Sequence, residues 1–269
     1  RAHLRLSREG CYPRKAMTAQ PDAFSLRRAT AEDSRAAFDV QLSSLVDLTD
    51  RLHTRWDVEP EEQWRKLRFL YEFLAAHAAE WWMAEDQSSG EPIGYARSIE
   101  RGGLLELSEF FVLPGHQSAG VGAALLARAF PEGRGEVRVI VATTDVRAQA
   151  RYYRAGTTVL FPIVELRGEP RGSEPAGGLD AVRLAPDDAG RLAAVARIEA
   201  AVLEFDRGDE LAWLAGRREG YLYRRSGADI GFGFVGLEGT GPIATLDPVD
   251  QPAILDHLCS RAAVLGREE

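Results

Sequence analysis

Residues 117–122, Gln-Ser-Ala-Gly-Val-Gly, have the make-up of a loop that holds a diphosphate. An apolar strand-like run leads into them and an apolar helical run, Val121 to Phe130, leads out. The start of a helix presents N–H groups without partners and a partial positive charge, and the two together attract phosphate. Gly120 and Gly122 have no Cβ to keep the backbone from phosphate oxygens. No Gly-Lys-Ser/Thr follows, which excludes a nucleotide-triphosphatase loop, and the third glycine of a dinucleotide fingerprint is missing. Groups able to move protons flank the loop: Glu106 and Glu109 before it, and Tyr152 and Tyr153 after it. His116 is read as a solvated turn residue. Arg147, Arg151 and Arg154 are either a phosphate-binding stripe or a solvated helix face.

These groups need elements to hold them. Phe24 to Thr30 reads as a strand running into a helix, with Thr30 as N-cap and Asp33 three residues on. Apolar residues from Ala36 to Leu48 keep helical spacing. A second helix opens at Glu59-Pro60-Glu61-Glu62 and runs to about residue 78. Strands are expected over 80–85, 92–99, 104–113 and 136–142. A helix capped by Thr144 or Asp145 runs through Tyr153 to Gly156, and a last strand covers 157–166. Trp81-Trp82 and Phe110-Phe111 are read as strand core that could line a pocket, and Tyr153 as a packing residue. A strict alternation along 104–113 places Glu109 on the opposite face from Glu106.

At 269 residues, with 45% apolar and 28% charged residues, the chain has the composition of a folded protein of two domains. The net charge of -8 argues against nucleic acid or an anionic membrane as partner. No apolar run reaches the roughly 20 residues that cross a bilayer. Arg1 to Lys15 hold five basic residues without a signal-like apolar stretch. Met17 is the expected natural start. Two distant cysteines and five scattered histidines give neither a disulfide framework nor zinc spacing, so no metal is expected and a cytoplasmic location fits. The expected units are an extension (1–23), a first domain (24–168), a linker (169–178) and a second domain (179–269). Strand-like segments at 179–184, 220–225, 230–235 and 241–246 echo the first domain, then a helix follows over 251–263. The echo lacks a glycine pair and the elements after that helix. Asp180 to Asp188 and Arg217-Arg218-Glu219 are read as solvated surface.

Val112-Leu113-Pro114, Gln117-x-x-Gly120-x-Gly122 and Leu125-Leu126 resemble the GNAT acetyltransferase superfamily in its strand, pyrophosphate loop and following helix. Ala148-x-x-x-Tyr152-x-x-x-Gly156 is similar to a second pattern of that family. The chain departs from it at Asp145, where Asn is usual, and at Thr157, where an aromatic is usual. The resemblance covers about residues 24–166 by element order. It implies an α/β (α+β) fold: a mixed central sheet, splayed between two strands and flanked by helices, with a second, smaller GNAT-like domain.

The resemblance also implies acetyl-CoA as cosubstrate and direct transfer to an amine in a ternary complex. Gln117, Ser118, Ala119, Gly120, Val121, Gly122 and Ala123 would hold the pyrophosphate. Phe111, Val112 and Leu113 would meet the pantetheine arm, and an N–H near Val112 would polarise the thioester carbonyl. Asp145, Ala148 and Arg151 complete the expected cofactor contacts, and the arginines could meet the 3′-phosphate. Tyr152 is the candidate acid, because a phenol titrating near 10 can protonate a thiolate whose parent thiol lies near 8.5. Glu106, eleven residues before Gln117, is the candidate base, directly or through water. The acceptor amine is open, as is assembly into a homodimer. The competing functions are a catalytically silent acyl-CoA sensor and a structural module with a fortuitous glycine loop.

Overall fold

Thr30 ends the first strand and starts the first helix, because its N–H donates to the Asp33 carboxylate (2.7 Å) and the chain then coils. The structure, a computed structural model, describes residues 23–268 apart from 55, 118, 164–167, 172–177 and 206. Most of the expected extension and linker, Ser118 of the loop and the end of the expected last strand therefore lie outside the described residues.

The first half runs β1 (Phe24–Arg28), α1 (Ser34–Arg51), α2 (Pro60–Ala76), β2 (Ala78–Asp86), β3 (Pro92–Arg101), β4 (Leu104–Val112), α3 (Val121–Ala129), β5 (Val137–Ile140) and α4 (Val146–Arg154). Its sheet has the order β1-β2-β3-β4-β5. The first four strands are antiparallel neighbours, whereas β5 runs parallel to β4. The helix α3 covers one face, burying Val121, Leu125, Leu126 and Ala129 against Leu105 and Leu107. Full burial of one such leucine contributes roughly 1.5–3 kcal/mol. The other face carries α1 and α2, with Phe38, Tyr71, Trp81 and Tyr95 at its centre.

The second half runs β6 (Leu179–Arg183), α5 (Ala189–Leu203), α6 (Glu210–Ala215), β7 (Glu219–Arg225), β8 (Ala228–Gly236), β9 (Gly239–Thr245) and α7 (Gln251–Val264). Its four strands form an antiparallel sheet in chain order. Helices α5 and α6 pack on one face and α7 on the other. From β1 to α3 and from β6 to α7 the order of strands and helices is the same. No described helix is long and apolar enough to cross a membrane.

Several expectations change. Residues 157–163 form no strand, and Val159, Leu160, Phe161 and Ile163 are exposed. The edge strand β5 has only four residues and pairs only with β4 among the described residues. Pro162 also removes a donor that a ladder would need. Asp188 is not merely solvated, since its carboxylate accepts the Arg191 N–H and caps α5. Arg217 lies with its guanidinium over the Phe69 ring at 4.7 Å, and Glu219 binds Arg261 at 2.9 Å.

The change with most bearing on chemistry lies in β4. Arg97 pairs with Glu109 but Ser98 pairs with Leu107, so Ser108 is an extra residue, a β-bulge. Alternation fails there. Glu106 opposite Ile99 and Glu109 opposite Arg97 share the α1/α2 face. Strict alternation had placed them on opposite faces.

Candidate active site

Strands β4 and β5 pair only from Leu104 to Leu107 on β4. Beyond that point they part, and a cavity of about 1200 Å³ opens between them. Its walls come from the end of β4, from Gln117 and residues 119–124, from the stretch between Ile140 and Arg154 and from the last turns of α1. The split follows from local chemistry. Val112 turns its carbonyl to the Gln117 side-chain amide (3.0 Å) and to the Ser44 hydroxyl (3.4 Å), rather than to a strand. The strand β5 ends at Ile140 and α4 begins at Val146, where Asp145 caps it by accepting the Arg147 N–H.

Gly120 sits at the N-cap of α3 with φ at +93°. L side chains rarely take that conformation, and a Cβ there would meet nothing within 4 Å. The first amides of α3 therefore face open space beside a glycine. Gly122 matters for closeness instead: a Cβ there would lie 3.1 Å from the Phe110 ring and 3.3 Å from the Arg151 guanidinium.

Of the expected residues, Phe111, Val112, Gln117, Ala119, Gly120, Gly122, Ala123, Asp145, Ala148, Arg151 and Tyr152 line this one cavity, as do Arg147 and Arg154. Leu113 and Val121 do not, because their side chains pack into the two cores flanking β4. Glu106 does not either. Its carboxylate is tied to Arg101 at 2.8 Å, and Arg101 in turn binds Glu210 of α6 at 2.8 Å. Glu109 takes its place at the cavity wall. It accepts from the Tyr95 hydroxyl (3.0 Å) and from Arg97, which is fully buried. The bulge at Ser108 is the reason, and no spacing within β4 alone signals it.

Tyr152 packs its ring against Phe110 at 6.0 Å while lining the cavity. Burial pushes its phenol up to about 12, so it holds its proton across the ordinary range of pH. Tyr153, expected to be the packing member of the pair, is exposed instead, because only one face of the short helix α4 meets the protein. Among the described residues no group of three His, Cys, Asp or Glu side chains could hold a metal ion.

Asp145 joins the two sides of the cavity. Its carboxylate binds Arg147 at 3.0 Å and reaches Arg51 of α1 at 3.4 Å. The hydrogen bond from the Arg147 side chain is the main cause that holds Asp145 down at about 2, with the Arg51 charge adding to it. An unfolded aspartate titrates near 3.9. The stabilisation is therefore complete above about pH 4 and fades as the pH falls towards 2. Asp145→Asn keeps a capping side chain but loses the charge. Its melting temperature is expected to lie below that of the wild type at pH 7, with the gap closing between pH 4 and pH 2. A gap that stays constant down to pH 2 counts against the ion pairs.

The acetyltransferase (GNAT) family model matches residues 44–157, the stretch that holds most of this cavity. No curated protein matches the sequence. Among solved structures, a protein from Pyrococcus horikoshii provisionally assigned as an acetyltransferase aligns over 98% of this chain and 81% of its own, at TM-score 0.64 and 16% identity. A GCN5-related N-acetyltransferase from Sphaerobacter thermophilus aligns over 91% of this chain and 85% of its own, at 0.51 and 16%. One from Kribbella flavida aligns over 90% of this chain at 0.51 and 15%, and the chain covers 62% of that protein. At such identities the likeness is one of fold.

Proposed function

We propose that the protein transfers the acetyl group of acetyl-CoA to a primary amine, a reading supported by the match of residues 44–157 to the GNAT acetyltransferase family model. One observation carries this: the bare first turn of α3, relieved by Gly120, opens into the same cavity that Tyr152 and the parted edge of β4 line. The chain's residues fit the cosubstrate. Helix amides and the Arg151 and Arg154 side chains suit phosphate, the free edge of β4 suits the amides of a pantetheine arm, and the volume exceeds that of an ordinary single-ligand pocket, roughly 300–1000 Å³.

When bound, acetyl-CoA supplies an acyl group already activated as a thioester. The protein's side chains then handle protons. Tyr152 holds the proton that a departing thiolate needs, the parent thiol titrating near 8.5. Glu109 takes the role of base, because it lines the cavity from the α1/α2 face of β4 and Glu106 does not. The amine is placed between Glu109 and the α1 residues Ser44, Leu45 and Leu48.

The second half is proposed as a degenerate copy of the same fold, on the shared order of its elements. Its counterpart of the glycine turn is filled by the chain's own anions. Asp247 accepts the Val249 N–H at 3.0 Å, and Asp250 is buried against Arg225 at 2.8 Å. Carboxylates at that helix start repel a diphosphate. Calorimetry is expected to find one acetyl-CoA bound per chain, and a saturating excess of the ligand should raise the melting temperature, since roughly 100 Kd of ligand adds about 2.7 kcal/mol. Release of free coenzyme A across a panel of amines then identifies the acceptor. An unmoved melting temperature removes the proposal; binding without amine-dependent release leaves the silent sensor.

A further inference from the structure

Helix α2 has two working faces, and the second half of the chain holds one of them. Trp64, Leu67 and Tyr71 recur at helical spacing towards the first sheet, while Leu70, Phe73 and Leu74 face Ile99 and Trp213. Trp213, on α6, lies 4.3 Å from the Phe73 ring and 5.8 Å from Phe69, centroid to centroid. Arg217 closes the far side over Phe69 at 4.7 Å. Two residues apart on a helix means opposite sides, about 200° round. Contact of Trp213 with Phe73 therefore bears on Tyr71 from behind.

Tyr71 leads to the cavity. Its hydroxyl donates to the Gln41 side chain of α1 and lies 3.5 Å from the Tyr95 hydroxyl. Tyr95 donates to Glu109 at 3.0 Å, and Glu109 lines the cavity. Every ring on this path is held: Tyr71 meets Phe38 at 5.9 Å and Trp64 at 5.7 Å, both edge-on, and Arg97 covers Tyr71 at 5.3 Å. Interiors packed this closely pass displacement on rather than absorb it. The helix α6 is itself anchored through Glu210, which binds Arg101 at 2.8 Å and Arg207 at 3.4 Å, and Arg207 in turn binds the buried Glu199 of α5 at 2.8 Å.

We propose that Trp213 is a positioning residue for the acceptor side of the cavity, acting through α2 and Tyr71 on Glu109. The second half thus serves the reaction without binding acetyl-CoA itself. This rests on the acetyltransferase function proposed above, with Glu109 facing the amine.

The test uses the full chain, acetyl-CoA and whichever panel amine releases coenzyme A fastest. Trp213→Ala is expected to lower turnover about tenfold and to leave the Kd of acetyl-CoA within twofold, since the phosphate turn lies across β4 from α2. Trp213→Phe, which keeps a ring against Phe73, should restore turnover to within twofold of wild type. Tyr71→Phe breaks the path midway. If Trp213 acts through it, the double variant is no slower than the slower single variant, because residues that share one path do not add. Multiplying losses, or full turnover in folded Trp213→Ala, overturns the assignment. Should Trp213→Ala not fold, Trp213→Leu enters the same cycle with the same criteria. A wild-type protein that binds acetyl-CoA but turns over no amine removes both proposals. Normal wild-type turnover with an inert Trp213 removes only this one.

Discussion

Gly120→Glu is expected to weaken acetyl-CoA binding at least 100-fold, or about 2.7 kcal/mol, while the protein stays folded. Two effects combine. A residue with a Cβ at φ of +93° costs roughly 1–2 kcal/mol of backbone strain, and the carboxylate then stands where the diphosphate must lie. Nothing lies within 4 Å of the new Cβ, so the side chain enters open cavity and the core is untouched. Gly120→Ala carries the strain without the charge. Its affinity should fall between that of the wild type and that of the glutamate variant, and its melting temperature should match the latter. Calorimetric titration of the three proteins separates the contributions. Unaltered affinity in Gly120→Glu would take the α3 turn out of the binding site.

The second large effect is on turnover. Tyr152→Phe removes one hydroxyl from the cavity wall and keeps the ring that packs on Phe110. If the phenol is the proton donor, turnover falls by about 10²–10³, the ordinary scale of a lost general acid, while the Kd of acetyl-CoA moves less than about twofold. Because burial pushes the phenol up to about 12, Tyr152 remains protonated well past pH 9. No alkaline limb of the wild-type rate below pH 10 should vanish in the variant. Parallel losses of turnover and affinity would instead mark the residue as packing alone.

The parts of this site that could be read from the sequence are those written in local backbone chemistry. A strand, a proline, two glycines and an apolar helix specify the 117–122 turn with no knowledge of the rest of the chain, and Asp145 and Gly156 bracket α4 in the same way. What stayed hidden depends on partners far away. Glu109 reaches the cavity wall only because β3 meets β4 out of step at Ser98. Glu106 is held by Arg101 and, through it, by Glu210. Residues 157–163 have the β-branched and apolar make-up of a strand but find no neighbour to pair with among the described residues. Helix α5, rich in alanine, shows too little contrast between its faces to stand out.

The extra residue at Ser108 gives β4 two phases. Upstream, odd-numbered Leu105 and Leu107 turn towards α3; downstream, even-numbered Phe110 and Val112 do. Deleting Ser108 would leave these faces as they are: Leu107 and Glu109 would become neighbours, and plain alternation would run from Leu105 to Val112. Flattening the bulge with Ser108 kept in the ladder would instead exchange Phe110 for Phe111 across the sheet and turn Glu109 into the apolar layer beneath α3. The second phase of the strand therefore rests on one residue standing outside the pairing.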